Sequence, residues 1–299
     1  MKKSELKVSI IIPSYNTAWL LRKNLPKVLA AKENIKNNIL EVIVVDDASP
    51  DESVKVLKEE FPEVRVIKHK ENRGFSSTVN TGARSAKGEL LALLNTDVIP
   101  DKDFLEEIIP YFIDENVYAV SMHEEGYGWA KGEFKDGFLV HGSGPEGKKS
   151  HITLWVSGGS GVFRRSQWMK LCGMDEKLFS PFYWEDVDMG YGAWKRGWSL
   201  HWEPKGLVTH KHETTMSKIP QTYRQRIQER NELIFSWKNF TSPILFRRHI
   251  VGLLKRLIKH PGYIRIVIMA LAKIKPILKA RAKEKRECKI SDEAIFSRF

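Results

Sequence analysis

Only two cysteines occur in 299 residues, Cys172 and Cys288, and they lie 116 positions apart. Neither a disulfide framework nor a ligand-spaced cysteine pair for zinc is therefore supported, and a reducing compartment is the default. Long apolar runs are also missing: the longest nearly uninterrupted one, Ile266 to Ala272, is far below the ~20 residues a helix needs to cross a bilayer. After Met1-Lys2-Lys3 the run Val8 to Ile12 stops at Pro13 with no small-residue cleavage site behind it, so no secretory signal is expected and the chain is placed in the cytoplasm. No Gly-x-Gly-x-x-Gly follows the first apolar run and no P-loop occurs, which removes the phosphate grips of dehydrogenases and P-loop enzymes. What is present excludes global disorder: 42% hydrophobic and 10% aromatic residues suffice for a core in one large or two smaller domains.

Acidic residues are scarce in one part of the chain only. The 49 basic and 37 acidic residues sum to +12, but residues 1–216 hold 29 basic and 31 acidic side chains and residues 217–299 hold 20 and 6. This divides the chain into a nearly neutral domain, 1–216, and a basic extension, 217–299. A nucleic-acid-binding protein is the reading that the pI near 9.5 first prompts, yet it requires a basic stripe on the folded domain, whose charges sum to −2. No nucleic acid partner is therefore expected. Ile244 to Lys259 is amphipathic, with Phe246, Ile250, Leu253, Leu254 and Leu257 on one face, Arg248, Lys255, Arg256 and Lys259 on the other, and Arg247 off pattern. Ile264 to Leu278 is a second apolar and basic stretch, interrupted by Pro276. Two outcomes suit such helices: peripheral adsorption to the anionic inner face of the cytoplasmic membrane, or a hairpin packed on the domain with a solvated basic face.

Val8 to Ile12 and Leu40 to Val45 read as buried parallel strands, closed by Pro13 and by Asp46-Asp47. Between them Leu21, Leu25, Val28 and Leu29 have helical spacing within Ala18 to Ala31, which predicts a right-handed crossover. Val54 to Phe61 and Asn80 to Ser85 predict helices, and Val64 to Ile67 and Glu89 to Leu94 strands. The alternation predicts an open, doubly wound, Rossmann-like α/β domain, whose ligands bind beyond the carboxyl ends of the strands. Pro13 to Asn16, Asp46 to Asp51 and Asn95 to Asp97 fall at such ends. Ser121 to Ser150 is Gly-rich and weakly periodic, which predicts loops with short strands and a mobile, acceptor-facing segment.

Asp51, before Val54, suits a helix cap. Asn72-Arg73-Gly74 and Asn80-Thr81-Gly82 lead a polar loop into a helix, where backbone N–H groups can face phosphate; Arg73 either holds a diphosphate or is solvated. Asn95 and Asp97, two apart at a strand end, point to one side, where amide and carboxylate oxygens can hold a divalent cation; an Asx turn before Pro100 is the competing use. Phe179 to Asp188 sets Glu185, Asp186 and Asp188 beside four aromatics, a composition suited to stacking on a sugar and taking a hydroxyl proton. In the competing reading Trp184 is core and the acids cap a helix running to Arg196. His210 or His212 becomes a metal ligand only where the fold brings it to Asp97.

In chain order these pieces resemble the family 2 glycosyltransferases, inverting enzymes of the GT-A fold. The resemblance runs over roughly residues 8 to 240: Val8 to Asn16, Val44 to Asp51, Asn72-Arg73-Gly74 through Ala86-Lys87-Gly88, Leu94 to Asp97, Gly158 to Arg164, Gly173-Met174-Asp175-Glu176, Trp184 to Asp188, Pro204 and His210. It implies a nucleotide-diphosphate sugar donor, a saccharide or lipid-linked saccharide acceptor, and a divalent Mn²⁺ or Mg²⁺. By position, Pro13, Tyr15, Asp46, Arg73, Asn95 and Thr96 bind the nucleotide sugar, Asp97 and His210 the metal, and Trp184 and Glu185 the acceptor, with Asp186 as general base. Asn95 departs from the aspartate of many members, which removes one negative charge beside the metal. Members with Asn-x-Asp here are often deoxyhexose or other bacterial cell-surface polysaccharide transferases. A catalytically silent sugar-binding relative is the remaining reading, and Asp97 and Asp186 argue against it.

Overall fold

The computed structural model describes residues 6–210 and 219–299. Strands β1 (Val8–Ser14), β2 (Ile39–Asp46), β3 (Arg65–Lys68) and β4 (Leu90–Leu94) pair in parallel in the order β3-β2-β1-β4. In β1 and β4 nearly every side chain is apolar and buried, as a sheet covered on both faces requires. The sheet continues through β10 (Ser160–Arg164), antiparallel to both β4 and β6 (Val117–Glu124), to β11 (Ser199–His210), parallel to β6. The short strands β5 (Val98–Pro100) and β9 (His151–Ile152) pair with β11. Among the described residues β1, β2, β3, β4, β6 and β11 all run one way, so their carboxyl ends share one edge.

Alternation along β1 separates two cores. Ile10 and Ile12 face helices α1 (Ala18–Lys32) and α2 (Ser53–Glu60), through Leu21, Leu25, Val56 and Leu57. Ile11 faces the other core, with Val79 and Ala83 of α3 (Phe75–Ser85), Trp168 of α4 (Arg165–Leu171) and Tyr191 and Trp194 of α5 (Glu185–Lys195). Helix α3 starts five residues before the expected Asn80. Its first turn is Phe75-Ser76-Ser77-Thr78, where half-buried Phe75 is followed by three small polar side chains that are buried and carry no apolar period. The Gly-rich middle forms the expected short strands, a hairpin of β7 (Ala130–Lys135) and β8 (Phe138–Ser143).

The basic extension is helical and shares the second core. Helix α6 (Gln221–Asn239) contributes Leu233, Ile234 and Phe235, with Phe240 following. Two buried ion pairs join it to α5: Arg196 to Glu284 on α9 (Ile274–Glu287), and Lys195 to Asp292 on α10 (Asp292–Phe296). Helix α7 (Pro243–Lys259) buries Leu245, His249 and Leu253. His249 donates from Nδ1 to the Gly137 carbonyl in the β7–β8 turn and accepts from Trp237 Nε1, and burial holds its imidazole down at about 4, hence neutral. The expected apolar face differs at two residues: Ile250 and Leu254 are exposed, Leu254 beside Val251 and Ile258. Pro276 does not interrupt a helix either. The break falls between α8 (Ile264–Leu271) and α9, and Pro276 sits in the first turn of α9, where a missing N–H costs nothing.

Gly82 sets how closely α3 approaches the sheet: a Cβ there would lie 2.5 Å from Ile11 Cγ2 and 3.2 Å from Val45 Cγ2. Gly82→Val is expected to lower unfolding free energy by about 1–3 kcal/mol through overpacking, read as a lower urea midpoint at unchanged slope.

Candidate active site

The shared carboxyl edge gathers the sequence-predicted residues. Pro13 is half-buried in the last turn of β1, and Tyr15, just beyond it, is 37% exposed at the edge. Asp46 closes β2 and is fully buried; Oδ2 accepts from the Ser49 N–H at 3.1 Å, and Oδ1 has no hydrogen-bond partner among the described residues. Asp47 beside it is structural. Its carboxylate accepts from the backbone N–H groups of Arg73 and Gly74 at 2.9 and 2.8 Å and meets His69 Nδ1 at 2.7 Å. That fixes the loop carrying Arg73, whose guanidinium lies 3.5 Å from Glu176. Asp51 caps as expected, accepting from the Ser53 N–H of α2 and the Ala18 N–H of α1.

At the end of β4 the Asn95 N–H donates to the Gly159 carbonyl at 2.9 Å, and the Thr96 carbonyl accepts from Asn24 Nδ2 at 2.8 Å. Asp97 is fully buried, and neither carboxylate oxygen makes a hydrogen bond among the described residues, so it forms no Asx turn. The condition set for His210 is met: Nε2 lies 3.3 Å from Asp97 Oδ1. On the other side of the ring, Nδ1 lies 3.1 Å from Glu124 Oε2 at the end of β6, and Ser160 Oγ donates to the other oxygen of Glu124. Burial alone would lower the imidazole, but Asp97 and Glu124 outweigh it and raise it to about 9. His212 lies outside the described residues. A buried carboxylate faced by an imidazole nitrogen at 3.3 Å, with a second carboxylate orienting the ring from behind, fits a divalent cation that displaces the Nε2 proton. Among the described residues no group of three or more His, Cys, Asp or Glu is arranged as a metal site, so Asp97 and His210 would hold a cation only together with a ligand's own oxygens.

Asp186 reaches the same edge through the segment before β10. The backbone N–H of Gly158 is directed toward its carboxylate and favours the charged form, and the next residue, Gly159, packs on Asn95 so closely that a Cβ there would lie 2.4 Å from Asn95 Nδ2. Burial raises the Asp186 carboxyl above the ordinary aspartate range, while the N–H groups of Val187 and Gly158 pull against it. Glu185 is raised by burial and by the charge of Asp186, and its Oε2 has no partner among the described residues. Asp188 is a strut: Lys238 and Asn239 of α6 both donate to it in the interior. Trp184 is corrected as an acceptor platform: it is 6% exposed and packs against His141 and Phe235, and Phe179 is likewise core, while Phe182 and Tyr183 are half-buried.

Residues 9–171 match the family model described as glycosyl transferase family 2. The chain belongs to that family. This family 2 glycosyltransferase is 29% identical over 219 residues to the pre-mycofactocin glycosyltransferase of Mycobacterium tuberculosis, a match spanning 70% of the chain and 43% of that relative's length. Its fold is similar to that of GalNAc-T7, solved with UDP, GalNAc and Mn²⁺ (TM-score 0.64, 15% identity, 88% of this chain and 57% of that one). It is also similar to a mannosyltransferase of Pyrobaculum calidifontis in complex with GDP-Man and Mn²⁺ (TM-score 0.56, 16% identity, 95% and 86%). The expected GT-A architecture, a mainly parallel sheet with a helical C-terminal region, is therefore the fold of this glycosyltransferase.

The family match ends at residue 171, before Asp186 and His210. Residues farther along hold the Asp186 segment, and nothing in their local sequence marks them. Tyr183 and Trp184, directly before Glu185-Asp186, both have left-handed backbones, at φ 72° and 77°, which side-chain-bearing residues adopt only when surroundings impose it. Asn231 of α6 imposes it here. Its fully buried amide donates to the carbonyls of Phe179, Phe182 and Tyr183 at 2.8–2.9 Å, while Arg230 donates to the Ser180 carbonyl at 2.6 Å and to Asn231 Oδ1. Glu124 and Ser160 are likewise visible only in three dimensions. In this glycosyltransferase Asn231→Ala is expected to cost about 1–3 kcal/mol per carbonyl left unpaired, read by urea denaturation.

Proposed function

We propose that this chain is an inverting glycosyltransferase that moves a sugar from a nucleoside-diphosphate donor to a hydroxyl of a saccharide or lipid-linked saccharide. The observation that carries the reading is the buried Asp97 carboxylate, whose neighbour among the described residues is His210 at 3.3 Å, at the carboxyl edge of the sheet, with the Gly158–Gly159 segment linking Asp186 to that edge. Donor contacts go to the strand ends: Tyr15 stacks on the base, the free Oδ1 of Asp46 accepts from it, and Asn95, Thr96 and Arg73 border the ribose and diphosphate. Arg73 must leave or share Glu176 to do so. Asp97 and His210 would hold a divalent Mn²⁺ or Mg²⁺, which when bound offsets the charge that grows on the departing diphosphate.

Asp186 takes the proton from the acceptor hydroxyl as its oxygen forms the bond to the anomeric carbon. The carbon–oxygen bond to the diphosphate breaks on the opposite face, and the nucleoside diphosphate leaves with the electron pair. Burial of Asp186 suits it to this work, because a raised pKa makes its carboxylate a stronger base. Glu185 is placed beside the acceptor. A cell-envelope polysaccharide is the acceptor class that Asn95 favours.

Asp186→Asn is expected to bind donor nearly as wild type and to lose about 10²- to 10⁴-fold in turnover. In the wild type, kcat/KM should rise with pH through the base's ionisation, with its acid limb above the ordinary aspartate pKa of about 4, because burial raises Asp186. Near-normal turnover in the variant would remove the residue from the role.

A further inference from the structure

From residue 233 to residue 283 the sequence has 12 Lys and Arg and no Asp or Glu. Lys238, Arg256, Lys273 and Arg281 are engaged inward, and the fold leaves Arg247, Arg248, Lys255 and Lys259 of α7 and Arg265 of α8 exposed. Helix α7 packs one side on the core and presents the other, where Arg247, Val251, Leu254, Lys255 and Ile258 follow the spacing of a single helical face. All five are exposed, Ile258 to 81%, so aliphatic and cationic side chains alternate in solvent. Helix α8 does the same with Ile264, Ile268 and Leu271. Between α6, α7 and α8 lies a groove of about 1270 Å³. Arg226, Arg247, Lys255, Lys259 and Arg265 line it, none with an ion-pair partner among the described residues, and Asp136 and Glu229 are its acidic lining groups.

We propose that the exposed faces of α7 and α8 and the groove they border form a docking surface for an anionic phospholipid bilayer. The groove cations receive lipid phosphates, and Val251, Leu254, Ile258 and Ile268 enter the boundary between headgroups and acyl chains. Charge complementarity alone fits any polyanion. The interleaved aliphatics choose among them, because a nucleic-acid backbone offers no apolar phase for Ile258 and a bilayer does. No helix among the described residues is long and apolar enough to span a membrane, so contact of this kind is at the surface. The inference gives the lipid-linked acceptor of the proposed function a physical setting and rests on that reading for its purpose. Its test reads binding rather than turnover, so either can fail alone.

The full chain is floated with phosphatidylcholine vesicles and with vesicles that also contain phosphatidylglycerol. Flotation with the anionic vesicles only, weakened by salt, is the expected result. Lys255→Glu with Lys259→Glu should reduce binding by roughly tenfold or more, since each cation near the surface contributes on the order of fivefold. Ile258→Asp should reduce it without a change in the groove's cations. These side chains are exposed, so melting temperatures of the variants should match wild type, and donor turnover with a soluble acceptor should be unchanged. Failure to float, or flotation indifferent to both variants, overturns the proposal. So does light scattering that shows Ile258→Asp dissociating a dimer, or an oligonucleotide that binds through Lys255 and Lys259 while vesicles do not.

Discussion

A carboxylate buried at the end of a central strand must be compensated, and much of the architecture around β4 can be traced to that constraint on Asp97. The chain supplies no hydrogen bond to either oxygen among the described residues, only the His210 ring at 3.3 Å. An imidazole left alone would turn in that space. Glu124 and Ser160 prevent it, from β6 and β10, so three strands distant in sequence meet at one charge. Parallel pairing is what makes this meeting possible, because it brings the ends of β1, β2, β4, β6 and β11 to the same edge.

The C-terminal helices hold the Asp186 segment in place as well as forming surface. Asp186 stands after two left-handed residues, a conformation that needs outside support, and Arg230 and Asn231 on α6 supply it. Lys238 and Asn239 then pin Asp188 one turn further on. The surplus of positive charge accordingly divides: the inner faces of these helices bury paired groups such as Lys238 and Arg256, and Arg226, Arg247, Lys255, Lys259 and Arg265, without ion-pair partners among the described residues, are exposed on α6, α7 and α8.

Much of this was legible in the sequence, for physical reasons. Aliphatic runs that stop abruptly at acids, as at Asp46 and Asp97, mark strand ends because a buried acid is kept only where loops beyond the strand can supply its partners or a ligand. The Asp51 cap was readable because capping is local. Where tertiary packing decides, the pattern was silent or misleading. The first turn of α3 is built mostly from serine and threonine and has no apolar period, and the aromatics of 179–184 looked like a sugar platform while Trp184 is held in the interior. Glu124 and Asn231 sit in stretches with no motif, and only the contact across strands or helices reveals what they orient. Leu254 was assigned to the buried face of α7, which in the fold is set by what the β7–β8 turn and Tyr263 cover rather than by the helix's own periodicity.

The central claim is that Asp97, paired with His210, is where a cation and the donor diphosphate meet. Calorimetric titration of a panel of nucleoside diphosphates, with Mn²⁺ and then with a chelator, measures it most directly on the wild type and on Asp97→Asn. The account predicts that one nucleotide binds with Mn²⁺, that chelation weakens it by about tenfold or more, and that Asp97→Asn binds equally weakly with and without the ion. A nucleotide that binds the wild type equally well under chelation, or an Asp97→Asn variant that keeps its full response to Mn²⁺, would contradict it.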